Sequence, residues 1–159
     1  MTKNDPAAFD EHDHACCVND GLQHVTQVCE DEGLRLTKVR RRVLEILLES
    51  HLAKGAYDVL ERLSSDGLGS QPPVVYRALD FLVENGFVHK LHSLNAFIAC
   101  AHPGQGHSPA FLICRVCRKV EEAVGAGQRL AGAAAEIGFS IEKTTVEAIG
   151  LCPGCEAKA

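Results

Sequence analysis

No apolar run in this 159-residue chain approaches the ~20 residues that a membrane-spanning helix requires. The opening stretch, MTKNDPAAFDEHDHACC, is acidic and has no apolar h-region, so it does not read as a secretory leader. A cytoplasmic protein is expected on both counts. No HExxH motif joins zinc ligands to a general base, which argues against a zinc hydrolase. Nor is any internal repeat visible. Positive charge is also short: 16 Lys and Arg face 21 Asp and Glu, for a net charge of −5. That deficit would count against nucleic acid if it were evenly spread.

It is not evenly spread. Residues 1–33 hold Asp5, Asp10, Glu11, Asp13, Asp20, Glu30, Asp31 and Glu32 against Lys3 alone. Arg35, Lys38, Arg40, Arg41 and Arg42 then fall close together without one acid among them. Affinity for phosphate follows local field and counterion release, so DNA stays open as a partner. A 46% apolar share suffices for an ordinary core.

Hydrophobic period organises the rest. Residues 1–20 read as a flexible tail, in which His12, His14, Cys16 and Cys17 could bind metal loosely. An amphipathic helix is expected from Gly21 to Glu32, with Leu22, Val25, Val28 and Cys29 on one face and Gly33 at its end. Thr37 can cap a second helix carrying Val39, Val43, Ile46 and Leu47. A third follows Gly55. A fourth opens at Pro72–Pro73, where proline's missing N–H costs nothing, and stops at Asn85–Gly86. The period then drops to two: FVHKLH and AFIAC read as a hairpin. Helices followed by a hairpin are the plan of a winged helix-turn-helix, expected over 21–100. A polar hinge over 101–109 leads to a small α/β unit over 110–159. There a strand (AFLIC), a Cys knuckle, a strand (KVEEAV), a helix near Gly127 to Ile137, a strand (FSIEKTTVEAIG) and a second knuckle follow in order. The fold class is α+β.

Eight cysteines in a leaderless chain suggest metal or redox chemistry rather than disulfides. Cys114-Arg-Val-Cys117 and Cys152-Pro-Gly-Cys155 are the most specific feature. Two C-x2-C turns supply four thiolates, the set that a structural Zn²⁺ prefers. A redox pair would ordinarily need only one C-x-x-C, at a strand-to-helix turn. A second, dispersed set comprises His89, Cys100, His102, His107 and Glu122. Spacing alone does not select among these five. A mixed set drawn from both halves would bind zinc only when the halves are suitably oriented, which is how a sensor differs from a structural site.

The fourth helix leaves Tyr76 and Arg77 off its apolar stripe in the early turns that enter a major groove. Arginine can bond guanine O6 and N7 together, while Tyr76 can reach phosphate or stack. Arg35, Lys38 and Arg42 would lie on backbone phosphates, and Tyr57 at the head of the third helix adds another such contact.

The segments LRLTKVRRRVLEILL, PPVVYRALDFLVENGFVHKL, FLICRVC and GLCPGC resemble the ferric uptake regulator superfamily, and within it the zinc uptake regulator branch. The resemblance runs from about Gly21 to Cys155. It implies a winged-helix DNA-binding domain, a hinge and a C-terminal dimerisation domain. It also implies a zinc-loaded homodimer that represses zinc-uptake genes from a palindromic operator, with two zinc ions per chain. By position, the structural zinc falls on Cys114, Cys117, Cys152 and Cys155, and the regulatory zinc on His89, Cys100, His107 and Glu122. His102 has no matching ligand in the family and stands as a possible substitute. Two departures show. GHSPAFLIC carries a single His where iron-sensing relatives are His-rich, which favours zinc over iron or peroxide. Arg118 stands where relatives commonly have Gly. The remaining alternatives are an iron, manganese or peroxide sensor of the same superfamily, a zinc-stabilised thiol redox protein, and an interaction module without DNA affinity. Transcription regulation, not catalysis, is the expected role.

Overall fold

The computed structural model describes residues 8–9, 13–104, 108–123 and 125–158. The chain divides into two compact units. One spans His12–Gly104, and the other combines Gln105–Ala159 with Met1–Glu11.

The first unit is built from α1 (His14–Glu32), α2 (Lys38–Leu48), α3 (Ala56–Ser65), α4 (Pro72–Glu84) and a hairpin of β1 (Val88–Leu91) and β2 (Ala96–Ala99). Its helix ends follow local chemistry. Thr37 caps α2 by accepting from the Arg40 N–H, and the Asp58 carboxylate accepts from the Gly55 N–H ahead of α3. Pro72 opens α4. At its other end Gly86 takes φ +72°, a left-handed conformation that costs glycine nothing. The Phe87 N–H then reaches back to the Leu82 carbonyl, turning the chain out of the helix and into β1.

Val43, Ile46, Leu47, Val59, Leu63, Val75, Leu79 and Leu82 are buried in one core, where the helical stripes meet. The hairpin is pinned to it. Lys54 and Phe97 exchange both backbone hydrogen bonds, at 2.9 and 2.8 Å, so the segment between α2 and α3 meets β2 at one isolated antiparallel bridge. This is a winged helix-turn-helix.

Helix α1 differs from expectation. It begins at His14, inside the stretch read as a tail, because the Asp13 side chain accepts from the Ala15 N–H and starts the helix earlier.

The second unit contains β3 (Ala110–Cys114), β4 (Val120–Ala123), α5 (Ala126–Glu136), β5 (Val146–Gly150) and α6 (Pro153–Glu156). The sheet order is β4-β3-β5, with β3 antiparallel to β4 and parallel to β5. The last strand is shorter than FSIEKTTVEAIG suggested. Gly138 at φ +70° and the bond from the Phe139 N–H to the Ala134 carbonyl close α5, so Phe139 belongs to that helix end. Among the described residues no helix is long and apolar enough to cross a membrane.

Candidate metal centre and nucleic-acid interface

Strand β3 ends at Cys114, and a tight turn through Arg118 brings the chain back to β4. Strand β5, parallel to β3, ends beside it at Gly150 and delivers Cys152 to the same end of the sheet. Parallel pairing therefore aligns the two C-x2-C turns. The sulfurs of Cys114, Cys117, Cys152 and Cys155 all lie within 4.8 Å of one another. The Sγ atoms of Cys117 and Cys152 stand 3.7 Å apart. Four sulfurs at ~2.3 Å from a tetrahedral zinc would be spaced by roughly 3.8 Å, so the donor set fits the ion.

Electrostatics points the same way. Backbone N–H groups of Cys117 and Cys152 lower the Cys114 thiol to about 6, against some opposition from burial, and the N–H of Cys152 lies 3.4 Å from that sulfur. Cys155 is pushed up to about 12 by its hydrogen bond with Cys152 and by burial, with the surrounding sulfurs adding to this. A thiolate at Cys114 forms readily there, whereas those at Cys117 and Cys155 are opposed until a cation compensates them.

The second set divides between the units. In the hairpin register His89 faces Ile98, and the Cys100 N–H bonds the Phe87 carbonyl at 2.9 Å just beyond the ladder. His89 and Cys100 are thus diagonal neighbours on one face, and their ligand atoms lie within 4.8 Å. Glu122 is half-buried on β4, opposite Phe111. His102 follows β2 and is half-buried. His107 lies outside the described residues.

On the DNA-reading side, Arg77 and Tyr76 are exposed in the early turns of α4, and Tyr57 is 72% exposed at the head of α3. The two tyrosines line one shallow depression with Leu60, Pro72 and Val75. Arg35 and Lys38 are both exposed. Arg42 is different. Its guanidinium lies 2.7 Å from Asp66, 3.2 Å from Glu45 and 3.5 Å from Glu49, and its side chain is only 24% exposed. Its charge is neutralised within the domain, so the expectation of a phosphate contact at Arg42 loses its electrostatic basis. Arg40 is likewise engaged: it donates to the Arg35 carbonyl and lies 3.7 Å over the Phe81 ring, tying α2 to α4.

Two features escaped the sequence reading. The His24 Nε2 lies 2.7 Å from the Pro103 carbonyl oxygen, fastening the segment after β2 onto α1. The second unit also leaves Ile137, Phe139 and Ile149 largely exposed (80%, 63% and 60%). An apolar excess in β5 and at the end of α5 was the available signal for that surface.

A model of the ferric uptake regulator family matches residues 31–149. The zinc uptake regulation protein of Escherichia coli (strain K12) is 39% identical over 137 residues, covering 84% of this chain and 80% of that protein. A zinc uptake regulator solved in complex with zinc and DNA is 36% identical with a TM-score of 0.82, covering 89% of this chain and 96% of the other. The holo form of XcZur is 41% identical with a TM-score of 0.79, covering 87% and 99%. The chain belongs to the ferric uptake regulator family.

Proposed function

We propose that this chain is a zinc-responsive transcriptional repressor that binds palindromic operator DNA as a homodimer and shuts down zinc-uptake genes in the cytoplasm. The observation that carries the reading is the likeness, over 89% of the chain, to a regulator bound to both zinc and DNA.

The residues supply each part. Helix α4 offers Arg77 and Tyr76 to a major groove, and Tyr57, Arg35 and Lys38 approach the flanking phosphates. The apolar surface of Ile137, Phe139 and Ile149 needs a cover, and a second copy of the chain is the proposed one. A two-fold dimer presents two copies of α4, which calls for a palindromic site.

Cys114, Cys117, Cys152 and Cys155 hold a structural zinc, and its binding free energy becomes folding free energy of the second unit. His89, Cys100, His107 and Glu122 are the proposed ligands of a second, regulatory zinc. When bound there, zinc supplies a cross-link between residues of the wing and residues beyond the hinge. Such ligands restrict the two copies of α4 to fewer spacings and so favour a single half-site separation. A switch from mostly unbound to mostly bound needs several kcal/mol of preference for the restricted state.

The test is zinc content measured beside operator affinity across buffered free-zinc concentrations. One zinc per chain that persists, and a second whose uptake tracks a steep rise in affinity, is the expected result. DNA binding that ignores zinc would remove the sensor role and leave the four cysteines structural only.

A further inference from the structure

Three arginines stand in a row in the first turn and a half of α2, and carboxylates engage two of them. Arg41 meets Glu45 at 3.2 Å, and Arg42 meets Glu45, Glu49 and Asp66. Among the described residues Arg40 makes no ion pair, and its guanidinium is held by two neutral partners instead. It donates to the Arg35 carbonyl at 2.6 Å, and its central carbon lies 3.7 Å over the centre of the Phe81 ring. Both ends of that link are fixed. The Arg40 N–H donates to the capping Thr37 hydroxyl at 3.3 Å. The Phe81 carbonyl accepts from the Asn85 side chain at 2.7 Å, and its ring lies 6.5 Å from that of buried Phe87.

We propose that Arg40 is a positioning residue for DNA reading, which holds the basic turn at Arg35 and Lys38 at one distance from the part of α4 that carries Arg77. Arg35 lies in the turn between α1 and α2, and Phe81 is one helical turn beyond Arg77. The inference rests on the repressor reading and adds what sets its specificity. Phosphate contacts fix the register of a protein on the duplex, so a base contact keeps its bidentate geometry only while its distance from them is held. A guanidinium suits this task, since it can stack flat on a ring and donate in its own plane to a carbonyl at the same time. An ammonium is a point charge without a flat face. Lysine therefore keeps the charge but loses the two-sided link.

The test uses the zinc-loaded full-length chain, a duplex that the wild type selects from a random-sequence pool, and a shuffled duplex of the same composition. Arg40→Lys is expected to lower the ratio of the two affinities roughly tenfold, the scale of one bidentate base contact. Affinity for the shuffled duplex should not change. In an Arg77→Ala background the same substitution should cost no further discrimination, because the residue it positions is gone. Melting curves confirm that each variant is folded at the assay temperature. Phe81→Leu, which removes the ring and leaves Arg40 in place, reads the same link should the lysine variant melt early. Equal losses with and without Arg77 would overturn the inference, because Arg40 would then serve stability alone. So would discrimination that survives both Arg40→Lys and Phe81→Leu. An Arg40→Met chain whose salt slope flattens by roughly 0.9 while discrimination holds would make Arg40 a phosphate contact instead. A wild type that selects no duplex would remove the repressor reading, and this inference with it.

Discussion

Cys117 Sγ lies 3.7 Å from Cys152 Sγ, although 35 positions separate the two residues. The parallel pairing of β3 with β5 brings them together, and four thiols at that spacing gain little unless a cation neutralises the thiolates. Cys152→Ser should therefore cost the chain its most tightly held zinc and unfold the second unit. The scale is set by structural zinc sites, whose apparent binding free energy is about 10–16 kcal/mol near neutral pH. Metal analysis with circular dichroism checks this. A variant that keeps both its zinc and its thermal transition contradicts the assignment.

Charge neutralisation separates residues that sequence alone groups together. Arg35→Ala and Lys38→Ala should each flatten the dependence of log affinity on log salt by roughly 0.9, one phosphate contact apiece. Arg42→Ala should leave that slope nearly unchanged and instead lower the melting temperature, because Asp66, Glu45 and Glu49 lose their shared partner. Fluorescence anisotropy across a salt series distinguishes the two outcomes.

Arg77 is exposed on an early turn of α4. Arg77→Ala should weaken operator binding by ~1–3 kcal/mol and relax discrimination at one base pair of each half-site. A loss that is uniform over all sequences would make Arg77 a phosphate contact rather than a reader of bases.

The sequence made some of this structure legible and hid the rest for physical reasons. Apolar period placed α2, α3 and α4, because each buries one stripe in a shared core. The change to a period of two placed His89 and Cys100 on the hairpin, and the register then put them on one face. The start of α1 was hidden because Asp13 and His14 carry no hydrophobic period, and the helix there is set by a single cap. The commitment of Arg42 was hidden because Asp66 lies 24 positions away in the chain. The convergence of the four thiols was legible, since each C-x2-C turn brings two sulfurs with it. Of the regulatory set, His89 and Cys100 come together within the wing unit.

An exposed apolar surface implies a partner, and two positions test it. Ile149 lies on β5, with Phe139 just past the end of α5, and neither is covered in the single chain. Phe139→Ser combined with Ile149→Asp should shift the protein toward monomer in analytical ultracentrifugation, with its structural zinc retained. Operator affinity should fall with it, since one α4 then contacts one half-site. An unchanged sedimentation coefficient would move the dimer interface elsewhere.

Arg118 adopts φ +65° in the turn between the first pair of cysteines and β4, a left-handed conformation that costs a non-glycine residue ~1–2 kcal/mol. The turn needs that conformation, because the Arg118 N–H bonds the Cys114 carbonyl at 3.0 Å while the chain doubles back. Glycine would remove the strain but bring greater freedom to the unfolded chain, an offset of about 0.4–1 kcal/mol. The balance favours glycine at this position by roughly 0–1.6 kcal/mol. Arg118→Gly should therefore raise the denaturation midpoint of the zinc-loaded protein by a small but measurable amount, with zinc content and operator affinity unchanged. A lower midpoint would mean that the Arg118 side chain contributes a stabilising contact larger than the strain its backbone carries.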